Sequence, residues 1–184
     1  MTETIAQMHW RALDREGEDK CRLAHLDAGY MLVGHARFRE SDGAWAALDY
    51  VVRTDAAWRT LSADVTGTVG GAELAVKIVR GETGWRLGDE IQPQLSGCED
   101  VDFSFTPATN LMPLRRLPDV GRLTTRAAWL RLPSGDLRPL DQSYTRERGG
   151  IIAYTAEQTA FATQLVVNEC GFITTYPNLW EADA

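Results

Sequence analysis

The chain has 184 residues, 44% of them hydrophobic and 24% charged, which fits one domain with a real core and excludes wholesale disorder. Its formal net charge is −7, and an acidic chain repels phosphate backbones and anionic membrane surfaces at long range, so nonspecific nucleic-acid binding is disfavoured. No stretch approaches the roughly 20 apolar residues that span a bilayer, and Cys21, Cys98 and Cys170 are too few and too far apart for a disulfide framework or a zinc ribbon.

The opening MTETIAQMHWRALD has no basic segment followed by an apolar run. It does not read as a secretory signal, and the expectation is a cytoplasmic protein. The three histidines, His9, His25 and His35, follow without HxH or HxxxH spacing, so no metal centre is expected from them.

Strand patterns come next. In 48–52 Leu48, Tyr50 and Val52 share a face, and in 73–79 Leu74, Val76 and Ile78 point one way while Lys77 points the other. Alternation with period two marks half-buried strands. The stretch 54–62, TDAAWRTLS, fits a short helix or the start of a strand at Trp58. In 100–106 Val101, Phe103 and Phe105 alternate with Asp100, Asp102 and Ser104. The segment 108–117, ATNLMPLRRL, is the best helix candidate, shortened by Pro113. In 160–168 Phe161, Thr163, Leu165 and Val167 alternate with Ala162, Gln164, Val166 and Asn168. Turn signals separate these runs: SDG (41–43), GTVGG (67–71), GETG (81–84), PSGD (133–136), RGG (148–150) and ECG (169–171). The result is a mainly β fold, a single antiparallel meander of about ten or more strands with one or two short helices. An open sheet that large tends to curl or close. A strongly curved sheet or incomplete β-barrel is therefore expected, with residues 1–184 as one domain.

Chemistry concentrates in 97–117, GCEDVDFSFTPATNLMPLRRL. Asp100 and Asp102, two apart in a strand, put their carboxylates on one face roughly 7 Å apart. Such a pair can bind a cation, share acid–base work, or take part in salt bridges. Between 111 and 131 stand Arg115, Arg116, Arg122, Arg126 and Arg131 against one acid, Asp119. An arginine fork over Asp100 or Asp102 would pin the crossover to the sheet; an arginine left over would face an anionic or hydroxyl-rich ligand. GxSxG, GxxxxGK[ST] and a strand-to-helix GxGxxG are all missing, and acids beside Cys98 raise rather than lower a thiol pKa. Six tryptophans and five tyrosines suit a core, and also a pocket that stacks sugar rings or apolar chains.

Several blocks recur in a recognisable order: WR (10–11), YMLVG (30–34), LDYVVRTDAAWRT (48–60), GETGWRLG (81–88), LSGCEDVDFSFTPATNLMPLRRL (95–117), DQSYTR (141–146) and CGFITTYPNLW (170–180). This order resembles the bacterial putative glycolipid-binding family, a domain of unknown function, and the resemblance spans nearly the whole chain. It implies an antiparallel half-barrel similar to the lipoprotein-localisation factors, with a lipid- or glycolipid-like ligand in its cavity. It carries over no catalytic residues.

Together these readings give a non-enzymatic binding protein for a lipid- or glycolipid-like amphiphile, without metal or cofactor. Its ligand-binding residues are expected to be Asp100, Asp102, Asn110, Arg115, Arg116, Trp129, Gln142 and Tyr144. The alternatives are an enzyme using Asp100 and Asp102 on a small polar or glycosylated substrate, and a structural or interaction module in which the central block is a folding device.

Overall fold

The computed structural model describes residues 3–183. Eight strands come first: Glu3–Ala12 (β1), Gly17–Leu26 (β2), Gly29–Arg39 (β3), Trp45–Asp55 (β4), Thr60–Val69 (β5), Ala72–Gly81 (β6), Gly84–Leu87 (β7) and Glu90–Ile91 (β8). After Asp100–Phe103 (β9) the chain turns through a short 3-10 segment into one helix, Leu111–Arg116 (α1). Six strands complete it: Arg122–Leu130 (β10), Leu137–Arg146 (β11), Ile151–Ala156 (β12), Phe161–Val167 (β13), Ile173–Tyr176 (β14) and Trp180–Ala182 (β15).

All the described strands join one sheet in the order β8-β7-β6-β5-β4-β3-β2-β1-β15-β14-β13-β12-β11-β10-β9. This is the mainly β, single-sheet architecture expected from the period-two runs. Every pairing is antiparallel except β9 with β10, where Asp102 lies opposite Trp129 in a parallel register. The 108–117 crossover imposes that exception, because it carries the chain over before β10 begins. The sheet is not closed. Nor is it strongly curled, as so many strands were expected to make it; residues 105–114 are packed in the core instead.

Sequence chemistry explains the crossover. The strand expected over 100–106 stops at Phe103, where Ser104 and Phe105 turn and Thr106 Oγ1 accepts from the Ala108 amide at 2.9 Å. Pro113 is the third residue of α1, within the first turn, where no intrahelical amide is needed. Residues 105–114 are buried throughout. Phe103 and Phe105 stack at 5.3 Å, and the Tyr50 ring meets both edge-on at 6.1 and 5.9 Å. The hairpin at 54–60, read as helix or strand start, is a turn: Asp55 Oδ1 accepts from the Ala57 and Arg59 amides, both at 2.9 Å. Trp58 there adopts φ +64°, a conformation costly for a bulky side chain. Its carbonyl accepts from Arg116 Nη1 at 2.9 Å, which ties the strained turn to α1.

Gly34 makes room for the centre of this core. It pairs with Tyr50 across β3 and β4, and a Cβ on it would lie 2.1 Å from the Tyr50 ring. Lacking one, Gly34 lets the ring lie across the strand and send its hydroxyl inward.

Candidate functional site

Two carboxylates, half-buried Asp102 and fully buried Asp19, face the interior from opposite halves of the sheet. Asp102 leaves β9 on the face shared by Trp129 of β10 and Gln142 of β11, and it accepts from Gln142 Nε2 at 2.6 Å. That amide also reaches Tyr154 Oη at 3.1 Å, while its Oε1 accepts from Tyr144 Oη at 3.2 Å. Asn110 Nδ2 in turn donates to Tyr144 Oη at 2.9 Å. One relay therefore runs from the crossover through β11 to Asp102. Burial pushes the Asp102 carboxyl up to about 6; the Gln142 bond opposes the shift and the nearby Asp100 charge adds to it.

In front of this relay lies a cavity of about 330 Å³. Asp102, Ser104, Thr106 and Asn110 supply its polar wall; Trp129, Tyr154, Phe161, Tyr176 and Trp180 supply the aromatic one. Trp129 is held by its Nε1, which donates to Ser104 Oγ at 2.6 Å. Tyr154, Phe161 and Tyr176 stand at the corners of a near-regular triangle, with centroid separations of 6.2, 6.1 and 6.2 Å. An apolar recess with a few convergent polar groups is the usual form of a small-molecule site. A larger groove, about 440 Å³, runs along His9, Arg11, Arg15, Arg37 and Trp45. Its charges are largely answered on the surface, Arg11 by Glu181 at 3.1 Å and His9 by Glu18 at 2.7 Å.

The residues expected to bind ligand divide into three groups. Asp102, Asn110 and Trp129 line the cavity together, and Gln142 and Tyr144 form the layer behind them. Asp100 and Arg116 stand apart as a two-pronged ion pair, with N–O distances of 2.7 and 2.6 Å. Arg115 is exposed, its guanidinium 4.8 Å above the Trp58 ring, and it does not line the cavity. The Asp100/Asp102 acid–base pair is thus divided: Arg116 occupies one carboxylate and only the other borders the cavity. Among the described residues no cluster of acids, histidines and cysteines is arranged to hold a metal ion. No helix there is long and apolar enough to cross a membrane.

Sequence reasoning missed the second carboxylate. Asp19 of β2 is fully buried. Its Oδ2 accepts from Tyr50 Oη at 2.8 Å and from a very close Thr106 Oγ1, and its Oδ1 has no partner among the described residues. Burial pushes its carboxyl up to about 7 against those two bonds. Thr106 belongs both to this cluster and to the cavity wall, so the two carboxylates lie on either side of it. Also missed were Tyr154, Phe161, Tyr176 and Trp180. Phe161 was legible as part of an inward face at 160–168, and Tyr176 and Trp180 as members of the terminal block, but nothing local joins them to Asp102.

Residues 7–182 match the family described as "Putative glycolipid-binding". The fold is also similar to the crystal structure of a DUF1089 family protein from Pseudomonas aeruginosa, 30% identical, with a TM-score of 0.77 over 89% of this chain and 91% of that one. No curated protein matches the chain.

Proposed function

The chain belongs to the putative glycolipid-binding family, and on that premise we propose that it is a non-enzymatic binding protein for a glycolipid-like amphiphile. The observation that carries this is the aromatic cavity with Asp102 and Asn110 on its polar wall. Sugar rings present apolar C–H faces that pack on Trp and Tyr, and hydroxyls that a carboxylate and an amide bind in fixed directions. The volume, about 330 Å³, is at the lower end of the ~300–1,000 Å³ range of small-molecule pockets. It suits one ring and the first carbons of an aglycone, leaving longer chains outside. The test is native mass spectrometry after incubation with octyl glucoside and with glycolipid extracts. A one-to-one adduct, reduced in Trp129→Ala, supports the proposal; apo mass alone in every incubation would count against it.

A second reading rests on Asp102 alone. A carboxyl raised to about 6 beside a cavity is poised for acid–base work. Under this reading the wild-type protein converts a bound glycoside and Asp102→Asn does not, with products read by liquid chromatography and mass spectrometry. Unchanged glycoside with the wild type leaves the binding reading.

A further inference from the structure

The cavity has an electrostatic peculiarity that sugar binding does not require. Asp102 is the one carboxylate among its lining residues, and none of those residues is Lys, Arg or His. The groups around Asp102 do not supply a cation either. Asp100, two residues before it on β9, is itself an acid, and Arg116 of α1 is committed to it at 2.6 Å. Gln142, Tyr144, Tyr154 and Tyr176 are neutral, and Asp19 beyond Thr106 is a second acid. Arg131 lies over the Trp129 ring at 5.5 Å but does not line the cavity. A carboxylate that is half-buried beside an apolar cavity gains from any counter-charge that enters the cavity.

The walls favour a particular counter-charge. Aromatic faces attract cations through their quadrupoles, out to about 6 Å from the ring centroid. The Tyr154, Phe161 and Tyr176 centroids lie 6.1–6.2 Å apart, with interplanar angles of 58°, 42° and 76°. Rings at these separations and tilts pack edge to face on one another, and together they make one wall of the cavity. A group seated on the triangle comes within reach of all three, with Trp129 and Trp180 on the remaining walls. A metal ion would find only one carboxylate here. An organic ammonium needs no more than a carboxylate and aromatic faces, and its carbon substituents are buried against the rings.

We propose that the cavity is selective for an organic ammonium group, so that the head of the bound amphiphile carries a positively charged nitrogen paired with Asp102. This rests on the binding reading above and narrows its ligand class. Two kinds of head supply that chemistry, the ammonium of an amino sugar and a quaternary ammonium.

The test uses charge-matched pairs and intrinsic tryptophan fluorescence of the full chain. One pair is octyl 2-amino-2-deoxyglucoside and octyl glucoside. The other is choline and its neutral isostere 3,3-dimethyl-1-butanol. The expected result is at least tenfold tighter binding of the cation in one of the pairs at pH 7, and the pair that shows it identifies the kind of ammonium. Asp102→Asn, which keeps an oxygen for Gln142, should bring the two members within about twofold. The wild type provides an arm free of mutation. At pH 5 only about a tenth of a carboxyl with pKa about 6 is ionised, so the preference should shrink roughly tenfold, and choline keeps its charge throughout. Equal or tighter binding of the neutral member in both pairs overturns the proposal. If octyl glucoside binds without any preference for its amino analogue, and choline shows none either, the ammonium proposal fails while the amphiphile reading stands. If none of the four binds, both fail.

Discussion

Arg116 grips Asp100 with both prongs of its guanidinium, Nη1 to Oδ1 at 2.7 Å and Nη2 to Oδ2 at 2.6 Å, and the same Nη1 reaches the Trp58 carbonyl at 2.9 Å. The side chains of Arg116 and Asp100 are 9% and 1% exposed. Removing one member of such a pair strands a buried charge. Arg116→Met should therefore cost about 3–5 kcal/mol in urea denaturation. Arg116→Lys should recover less than half, because an ammonium cannot make the fork. A loss below 1 kcal/mol in Arg116→Met would refute the clamp.

Asp102 should make stability fall as pH rises. Its folded pKa, about 6, lies above the roughly 3.9 of an unfolded aspartate. Between those values the unfolded chain has given up the proton while the native state still holds it. The penalty is absent below pH 4 and complete above pH 6. Asp102→Asn should thus stabilise the protein at pH 8, by up to about 3 kcal/mol, and have little effect at pH 4. Urea midpoints at the two pH values decide it; destabilisation at pH 8 contradicts the account.

Asp19 shows the same sign over a window reaching to about pH 7. The Tyr50 hydroxyl favours its charged form. Tyr50→Phe should push the carboxyl higher still, as a carbon-detected NMR titration would read. It should cost about 1–3 kcal/mol at pH 8 and less at pH 5. An Asp19 midpoint unmoved by the substitution would show that the hydroxyl does not stabilise the carboxylate.

Gly34→Ala should disrupt the same region sterically. The new Cβ would meet the Tyr50 ring at 2.1 Å, and relief requires moving the ring off Asp19 and Thr106. A loss of about 1–3 kcal/mol or more is expected, together with a shifted Asp19 titration. Gly43→Ala, whose Cβ meets nothing within 4 Å but whose φ is +87°, should cost about 1 kcal/mol and leave that titration alone.

Trp129→Ala should weaken octyl glucoside binding about tenfold, ~1.4 kcal/mol. Trp45→Ala, at a ring 37% exposed and outside this cavity, should not. Fluorescence titration of both variants separates a specific wall from a general loss of aromatic surface.

Much of the architecture was legible from residue order alone. Leu48, Tyr50 and Val52 are buried as their spacing predicts, and the run at 160–168 forms β13. The helix of 108–117 forms where expected, and the acidic and basic parts of the central block do meet. The strand ending at Phe103 rather than Thr106 was not legible. The turn that stops it is stabilised by Thr106, and by Tyr50 and Asp19 from strands far away in sequence.

The two aspartates of the central block mark the boundary between the two kinds of information. Period two places Asp100 and Asp102 on one face of a strand, and sequence alone determines that because it is a local property of an extended backbone. It also shows that arginines are close enough along the chain to pair with them. Which aspartate is paired and which borders a cavity was decided by tertiary structure. The short helix α1 sets Arg116 over Asp100, while β10 and β11 bring Trp129 and Gln142 to Asp102, and β12 to β15 add aromatic rings from 52 to 78 residues away in sequence. Burial and electrostatics depend on what surrounds a group in space, and in a sheet of this topology most of that surrounding comes from elements its own stretch of sequence never touches.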